Sequence, residues 1–326
     1  MRWLLFLAFI CGEAAAQEMP AWFTETLLFI KEDAAEAARD GKRVMLYFGQ
    51  DGCPYCKQLI EVNFRQARIV DKMRKGFVAI AINIWGDREV HWDQFGTSGR
   101  ALTEKQLAPA LKVQFTPTLL FLDEKGDIAL RVNGYLPPER FEAALDYVSA
   151  RMEGKLAFAD YKPVHPKASE TLNQAAFFLK PPYDLRRKPG AKPLAVLFET
   201  PHCAGCDELH REAFKREEIL SRLARFDVVR LSSFSSESLI APGGQQVNAS
   251  AWASQLGLTY VPSLLFFDDR GREVFRVEAY MRPFHLAGSL EYVASGAYRR
   301  EPSFQRFLQG ETERLRGEGR SVDLWK

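Results

Sequence analysis

The chain lacks a marked excess of either charge. Its 326 residues include 44 lysines and arginines against 42 aspartates and glutamates, which leaves a formal net charge of +2. A balance so close to neutral gives no electrostatic reason to expect a nucleic acid or an anionic membrane as a partner. With 47% hydrophobic and 26% charged residues, the composition is that of a globular protein, and the length suits two domains.

Long apolar runs are also missing, except for a short one at the N-terminus. Arg2 precedes an apolar run over residues 3–11, and residues 14–16 are three alanines of the kind found at signal-peptide cleavage sites. The run falls well short of the roughly 20 residues that span a bilayer. We therefore predict a signal peptide over residues 1–16, with no membrane insertion after its removal. The alternative is a first buried helix or strand of the mature fold.

Cysteine is scarce, with five in the whole chain, and Cys11 falls within the predicted signal peptide. The other four form two C-x-x-C pairs, Cys53 with Cys56 and Cys203 with Cys206. Two local pairs exclude a scaffold stapled by many scattered disulfides. A zinc site is disfavoured because its two pairs usually lie about 15–20 residues apart. We expect no metal and no cofactor, and a purely structural disulfide stays open for each pair.

The sequence repeats itself at domain length. The segment 116–123, TPTLLFLD, resembles the segment 261–268, VPSLLFFD, at an offset of 145 residues, and the same offset relates Gly126 to Gly271. A repeating unit of about 140 residues is too long for a solenoid and suits a domain.

The repeat divides the mature chain in two. We place the first domain at residues 17–155 and the second at residues 156–326, with a proline-rich stretch from about residue 162 to residue 189 between the two units. The second domain ends in a charged segment from Arg299 onward, which we predict to be a helix packed on that domain.

Both units predict the same order of elements. A short, continuous apolar run in each unit, at 44–48 and 194–198, is typical of a strand buried on both faces. A second buried strand is predicted at 77–82 and 226–231. We predict a helix after each C-x-x-C, a short helix before each later proline, then a hairpin, and a closing helix from about Pro138 and Pro283. A first helix is predicted over 24–30 and 169–179. The fold class is therefore α/β, with a mixed central sheet flanked by helices in each unit.

The position of each C-x-x-C pair favours redox chemistry. A cysteine attacks a disulfide as its thiolate, and Cys53 and Cys203 stand where a predicted buried strand leads into a predicted helix. Unpaired N–H groups and the helix dipole favour negative charge there, and they lower a cysteine pKa from about 8.5 toward roughly 3.5–7.5. We predict Cys53 and Cys203 as nucleophiles, and Cys56 and Cys206, one turn later, as resolving cysteines.

This order of elements, with Thr116-Pro117 and Val261-Pro262 opening the hairpins, resembles the thioredoxin superfamily over nearly the whole mature chain. The resemblance implies two tandem thioredoxin-like domains. Three stretches resemble periplasmic SoxW-type thioredoxins of sulfur-oxidising bacteria: 52–57 (GCPYCK), 83–90 (NIWGDREV) and 302–307 (PSFQRF).

The superfamily also implies roles for the residues at the hairpins. Pro117 and Pro262 are expected to be cis and to lie beside the cysteines. The backbone of Thr116 and Val261 is then expected to pair with an extended substrate segment and to hold its disulfide in line with the nucleophile.

Residues next to the cysteines depart from the usual thioredoxin pattern, and we predict that they modulate the reactivity of the cysteines. Pro54-Tyr55 is the glutaredoxin dipeptide, whose carriers have potentials near −200 to −230 mV, against about −270 mV for thioredoxin. His202 precedes Cys203; protonated, it stabilises the thiolate, and neutral, it serves as a base. The alternative for His202 is an exposed turn residue with little effect.

The proton acceptor departs from the pattern as well. The buried aspartate that many thioredoxins use is replaced by Tyr47 in the first unit and Leu197 in the second. Another base is therefore needed, and Asp51, Glu61 and Glu199 are the candidates.

We expect a periplasmic enzyme, a thiol–disulfide oxidoreductase that reduces disulfide-containing protein or peptide clients. The resemblance implies the reductive direction and a membrane thiol–disulfide relay as electron donor. A disulfide oxidase or isomerase is the nearest alternative, and a non-catalytic binding scaffold is the alternative from another class.

Overall fold

Two four-stranded mixed sheets, one in each half of the chain, organise the protein. The computed structural model describes residues 19–93, 101–158, 161, 171–201, 203–258, 260–278, 281–320 and 322. In both halves the sheet is flanked by helices, which confirms the predicted α/β class of two repeated units.

The first unit contains five helices and six strands among its described residues. The helices are α1 (Ile30–Arg39), α2 (Pro54–Gln58), α3 (Ala67–Gly76), α4 (Glu104–Ala110) and α5 (Pro138–Ser149). The strands are β1 (Arg43–Gly49), β2 (Phe77–Asn83), β3 (Glu89–Val90), β4 (Leu102–Thr103), β5 (Thr118–Leu122) and β6 (Ile128–Asn133). After α2 the chain continues directly into a π-helical segment, Leu59–Asn63.

The second unit repeats this order and adds a C-terminal helix. Its strands are β7 (Tyr183–Asp184), β8 (Leu194–Glu199), β9 (Asp227–Ser232), β10 (Ser238–Ile240), β11 (Gln246–Asn248), β12 (Ser263–Phe267) and β13 (Glu273–Val277). Its helices are α6 (Ala204–Glu208), α7 (Glu217–Leu223), α8 (Ala249–Gln255), α9 (Pro283–Ala294) and α10 (Phe304–Gly317), with a π-helical segment after α6 at Leu209–Ala213. Across the described parts of the chain, none of the helices has the length and hydropathy needed to cross a membrane.

The two main sheets have the same strand order and directions. The order is β2-β1-β5-β6 in the first unit and β9-β8-β12-β13 in the second. In each sheet the first pair is parallel and the other two pairs are antiparallel. Even the irregularity in the hairpins recurs, between Phe121 and Leu122 and between Phe266 and Phe267. The repeat seen in the sequence is therefore a repeat of structure.

Central strands are mostly apolar because helices cover both of their faces. All seven residues of β1 are buried. Side chains alternate between faces along a strand, so Met45 and Tyr47 join one core cluster while Leu46 and Phe48 join the other. Burying each such side chain contributes roughly 1.5–3 kcal/mol. β1 ends at Gly49, and the first C-x-x-C begins four residues later at Cys53.

The first helices predicted for the two units are wrong as far as the described residues show. The helix of the first unit begins only at Ile30, and residues 171–179 contain none. These segments run instead along the open edges of β2 and β9, whose backbone groups need partners. The bridges that form there pair Phe23 with Ala79 and Phe178 with Val228.

The two units pack against each other through equivalent positions. Phe115 reaches into the core of the second unit, with its ring 5.6 Å from that of Phe275 and 5.5 Å from that of Phe304. Tyr260, the matching residue at the 145-residue offset, packs against the core of the first unit. Burial raises the pKa of Tyr260 to about 12. In each unit, the aromatic residue two positions before the hairpin proline thus packs against the core of the other unit.

A hydrogen bond at the same interface also joins equivalent positions. Asn133 Nδ2 donates to Glu278 Oε2 over 2.8 Å, and the two residues differ by the same offset. Because both lie at the end of a hairpin, the hairpin ends of the two units face each other. The interface between the units therefore has approximate two-fold symmetry.

Candidate active sites

The first redox pair lies where β1 leads into α2. Cys53 is the N-cap of α2, and its Sγ accepts a hydrogen bond from the Cys56 backbone N–H over 3.1 Å. Pro54 takes the first helical position, where its missing N–H costs nothing. A disulfide joins Cys53 to Cys56. Cys53 is 5% exposed and Cys56 is fully buried, so Cys53 is the sulfur that a substrate can approach.

The second redox pair repeats this geometry between β8 and α6. Cys203 is the N-cap of α6, its Sγ accepts from the Cys206 N–H over 3.1 Å, and a disulfide joins the two cysteines. The Cα atoms are 5.2 Å apart in both pairs. The strand-to-helix junction expected from the sequence is present at both sites, and both first sulfurs face backbone N–H groups at a helix start.

The hairpin prolines lie beside the cysteines in the first unit. The Thr116–Pro117 and Val261–Pro262 peptide bonds are both cis, as the resemblance implied. Thr116 O lies 3.3 Å from Cys53 Sγ. The backbone just before Pro117 therefore borders the reactive sulfur of the first site.

Tyr55, predicted to modulate the first site, connects that site to the second unit. Its hydroxyl oxygen accepts a hydrogen bond from the backbone N–H of Arg282 over 2.7 Å. Its ring packs edge-on against His285, 5.0 Å between centroids. Burial lowers the pKa of His285 to about 4, so this imidazole is neutral at neutral pH. The dipeptide between the first cysteines thus takes part in the packing of the two units.

Cys53 opens into a cavity of about 510 Å³ between the two units. The first unit contributes the segment around Cys53 and the loop at Thr116. Met281 lines it from the second unit, and Leu308 and Thr312 line it from α10. The first active site is therefore composite, since domain two and the C-terminal helix supply part of its wall.

A network of side-chain amides fastens α10 to the first site. Gln50 Nε2 donates to Gln305 Oε1 over 2.9 Å and to Thr116 Oγ1 over 3.2 Å. Trp85 Nε1 donates to Gln50 Oε1 over 2.6 Å, and Gln305 Nε2 donates to Gln114 O over 2.9 Å. These bonds hold the start of α10 against the loop that carries the hairpin proline.

Sequence reasoning missed this use of the C-terminal helix. The segment from Arg299 was expected to pack on the second domain alone, and Phe304 does lie in that domain's core. Gln305 instead contacts the loop of the first site, and Leu308, which is part of the second core, also lines the cavity at Cys53. The stretch PSFQRF was one of the three that resembled SoxW-type thioredoxins. A sequence pattern, however, does not say which of two neighbouring domains a helix contacts.

The second site contains a buried acid on its own central strand. Glu199, at the end of β8, is fully buried, and its Oε1 lies 2.9 Å from His210 Nε2. Its other oxygen, Oε2, has no hydrogen-bond partner among the described residues. His210 follows Cys206 by one helical turn. Of the three candidate bases, Glu199 alone is buried beside a redox helix.

The remaining candidate bases lie in solvent. Asp51 and Glu61 are exposed, and Glu61 pairs loosely with Lys57 over 3.9 Å. Tyr47, at the position of the usual acid, is buried, and burial raises its pKa well above the ordinary range. The buried acid near the first pair is Glu278 of the second unit, which lines the cavity at Cys53.

The aromatic residues that follow β2 have different placements. Trp85 lines the cavity, whereas Trp92 is buried in the core and His91 stacks on Phe29 at 4.1 Å. His202 lies outside the described residues, as does the predicted signal peptide. Within the part of the chain that is described, no cluster of three or more His, Cys, Asp or Glu is arranged for a metal ion.

Comparison with known families gives two matches along the chain. The profile of the thioredoxin-like domain family matches residues 30–149 and again residues 186–294. Each range contains one C-x-x-C pair and one hairpin proline. A search of curated proteins found no significant match.

Solved structures similar to this chain are thioredoxin-fold proteins. A thioredoxin-fold protein from Helicobacter pylori is 23% identical, with 41% of this chain and 80% of that chain covered and a TM-score of 0.35. A thioredoxin from Thermus thermophilus is 27% identical, covering 36% of this chain and 81% of that chain with a TM-score of 0.28. The oxidised C-terminal domain of DsbD from Neisseria meningitidis is 17% identical, covering 40% and 99% with a TM-score of 0.27.

Proposed function

The chain belongs to the thioredoxin-like domain family, and on that premise we propose that it is a thiol–disulfide oxidoreductase with two active sites. One observation carries the proposal. In both units the first cysteine of a C-x-x-C pair caps a helix, and its sulfur accepts a hydrogen bond from a backbone N–H. That arrangement stabilises a thiolate, which is the form that attacks disulfides.

The reaction follows from the order of the two sulfurs. The Cys53 thiolate attacks one sulfur of a substrate disulfide, forms a mixed disulfide and releases the other substrate sulfur as a thiolate. The Cys56 thiolate then attacks Cys53 Sγ, which closes the Cys53–Cys56 disulfide and releases the second substrate sulfur. Two electrons pass from the enzyme dithiol to the substrate. Cys203 and Cys206 take the same roles in the second unit.

The backbone before each hairpin proline positions the substrate in this proposal. Thr116 and Val261 pair with an extended segment of the client and place its disulfide beside Cys53 or Cys203. The 3.3 Å distance between Thr116 O and Cys53 Sγ supports this role in the first site.

The proposal also includes the direction of electron transfer and the cellular compartment. The enzyme works in the periplasm, reduces disulfides of protein or peptide clients, and receives electrons from a membrane thiol–disulfide relay. The N-terminal sequence pattern and the resemblance to periplasmic SoxW-type thioredoxins support this part. Redox titration separates reductase from oxidase: a potential near −270 mV for either pair agrees with the proposal, whereas about −120 to −180 mV favours an oxidase or isomerase.

The direct test is reduction of insulin by dithiothreitol, catalysed by the intact protein and by each of Cys53→Ser and Cys203→Ser. Loss in both variants indicates electron transfer from one site to the other. Loss in Cys53→Ser alone indicates a single working site. Unchanged activity in both variants contradicts the proposal and favours a non-catalytic scaffold.

A further inference from the structure

The reactive sulfur of the first site lies inside the molecule. Cys53 is 5% exposed, and its opening is the cavity of about 510 Å³ walled by the first unit, the second unit and α10. Pockets of this volume hold a drug-sized ligand. A cysteine on a flat face can meet the surface of another folded protein, whereas the second unit and α10 line the opening at Cys53 and restrict that approach.

We propose that Cys53 accepts disulfides carried on short, flexible peptide segments and excludes disulfides fixed on the surface of folded proteins. The inference rests on the proposed function, since it names the substrate class of the same site. The selectivity comes from the second domain and the C-terminal helix, which stand where the partner's surface would have to dock.

The wall is fixed in place from several directions. Tyr55 accepts a hydrogen bond from the Arg282 backbone, and Gln305 bonds both Gln50 and the Gln114 carbonyl. Phe304 anchors the start of α10 in the core of the second unit. Several independent contacts would therefore have to break before a folded partner could reach Cys53.

The lining suits a peptide main chain. Neutral amide and hydroxyl groups line the cavity alongside apolar side chains. Each already makes a hydrogen bond within the protein, but an amide has two N–H donors and an oxygen with two lone pairs, so some capacity is left for a peptide. These neutral groups belong to Gln50, Thr116, Asn133, Gln305, Gln309 and Thr312.

Charge in the lining disfavours acidic substrates. Asp51 and Glu313 outnumber the one basic residue at the cavity, Arg316. The third acid there, Glu278, is already paired with an arginine over 2.9 Å. His285 also lines the cavity but is neutral at neutral pH, because burial lowers its pKa to about 4. The peptide that fits is therefore neutral or basic.

The test isolates the first site in the full-length protein by combining Cys203→Ser with Cys206→Ser. The reduced protein is mixed with a neutral peptide whose two cysteines form a disulfide, and formation of the Cys53–Cys56 disulfide is followed over time. The same peptide sequence is supplied in three forms: free, as a flexible C-terminal tail on a folded carrier, and within a rigid surface loop of that carrier.

We expect the loop form to react about a hundredfold more slowly than the free peptide, which is the usual cost of a misplaced reacting group. Equal rates for the free and tail forms would assign the site to flexible protein segments. Reaction of the free form alone would assign it to small peptides. Replacing the neutral flanks by glutamates should slow the reaction at low salt, and replacing them by lysines should not.

A pair of variants on α10 provides the structural control. Thr312→Trp puts a large side chain into the cavity, whereas Gly310→Trp adds the same side chain on the open side of α10, where nothing lies within 4 Å. We expect the first to slow the free peptide at least about tenfold and the second to leave its rate unchanged. Alkylation of Cys53 by iodoacetamide, a far smaller reagent, checks that Thr312→Trp still folds with a reactive thiol.

Two results overturn the inference while leaving the proposed function intact. One is a loop form that reacts as fast as the free peptide, and the other is Thr312→Trp behaving like Gly310→Trp. Failure of every disulfide to oxidise the reduced first site is a different result. That outcome contradicts the proposed function itself.

Discussion

The two candidate active sites have the same backbone geometry at their cysteines and differ in the residues around them. In both, a cysteine caps a helix at the end of a buried strand, with 5.2 Å between the Cα atoms of the pair. The first site has Pro-Tyr between its cysteines and a cavity completed by the other unit. The second has Ala-Gly, and a buried Glu199–His210 pair lies beside its redox helix.

This comparison shows which parts of the chemistry the fold supplies and which it leaves open. The fold supplies the stabilised sulfur, because a strand leading into a helix always presents N–H groups there. Proton transfer and access to the sulfur depend on residues outside that junction. Duplication has therefore kept the nucleophile and changed its surroundings.

The largest expected effect separates the two cysteines within each pair. Cys53→Ser should abolish attack by the first site, a loss of several orders of magnitude, because serine is a far weaker nucleophile at neutral pH. Cys56→Ser should retain the attack but trap the substrate on Cys53, since the resolving sulfur is missing. Mass spectrometry of the trapped species checks this. Cys206→Ser is the matched variant, and a trapped substrate in neither variant contradicts the equivalence of the two sites.

The buried pair of the second site should matter for stability. Glu199→Ala leaves His210 buried beside an empty space and should cost about 3 kcal/mol of the free energy of unfolding. Glu61→Ala, at the exposed acid of the first site, should change it by about 0.5 kcal/mol or less. Urea unfolding followed by circular dichroism measures both. Similar losses in the two variants would contradict the difference drawn between the sites.

The hydrogen bond between the units should contribute less to the free energy of unfolding. Tyr55→Phe removes the acceptor for the Arg282 N–H and should cost about 1 kcal/mol of the free energy of unfolding. Tyr298→Phe is the control, since the Tyr298 hydroxyl meets only an exposed arginine. If Tyr55→Phe is as harmless as Tyr298→Phe, the first dipeptide does not hold the units together.

Stability should also depend on pH, with an effect confined to acidic conditions. Burial lowers the pKa of His285 to about 4, whereas an unfolded histidine titrates near 6.5. Between these values the unfolded chain binds the extra proton, so stability should fall as the pH drops from about 6.5 toward 4. His285→Gln should reduce this fall, which thermal unfolding across the pH range would reveal. An unchanged pH dependence would indicate that the imidazole is solvated.

The sequence was sufficient for features that depend on local patterns. Continuous apolar runs located the central strands to within a residue or two, because strands covered on both faces admit few polar residues. The C-x-x-C pairs and the offset of 145 residues located the two sites and the repeat. The helix starts at Pro138 and Pro283 followed from the preference of proline for the first helical turn.

Features that depend on contacts between distant segments were not accessible in this way. The apolar residues before Ile30 and around Phe178 were taken as helical, but the open edges of β2 and β9 hold them in extended form. The composite wall at Cys53 depends on which unit α10 touches, and no spacing rule encodes that. Glu199 was one of three candidate bases, and only its burial separates it from the others.

The proposed chemistry depends on the charge state of two sulfurs, so the direct measurement is their titration. In the reduced protein, thiolate absorbance or the pH dependence of alkylation gives the pKa of Cys53 and, in a Cys53→Ser variant, of Cys203. We expect both to lie at least about one unit below the 8.5 of free cysteine, because each accepts an N–H at a helix start. Values at or above 8.5 for both cysteines would contradict the account.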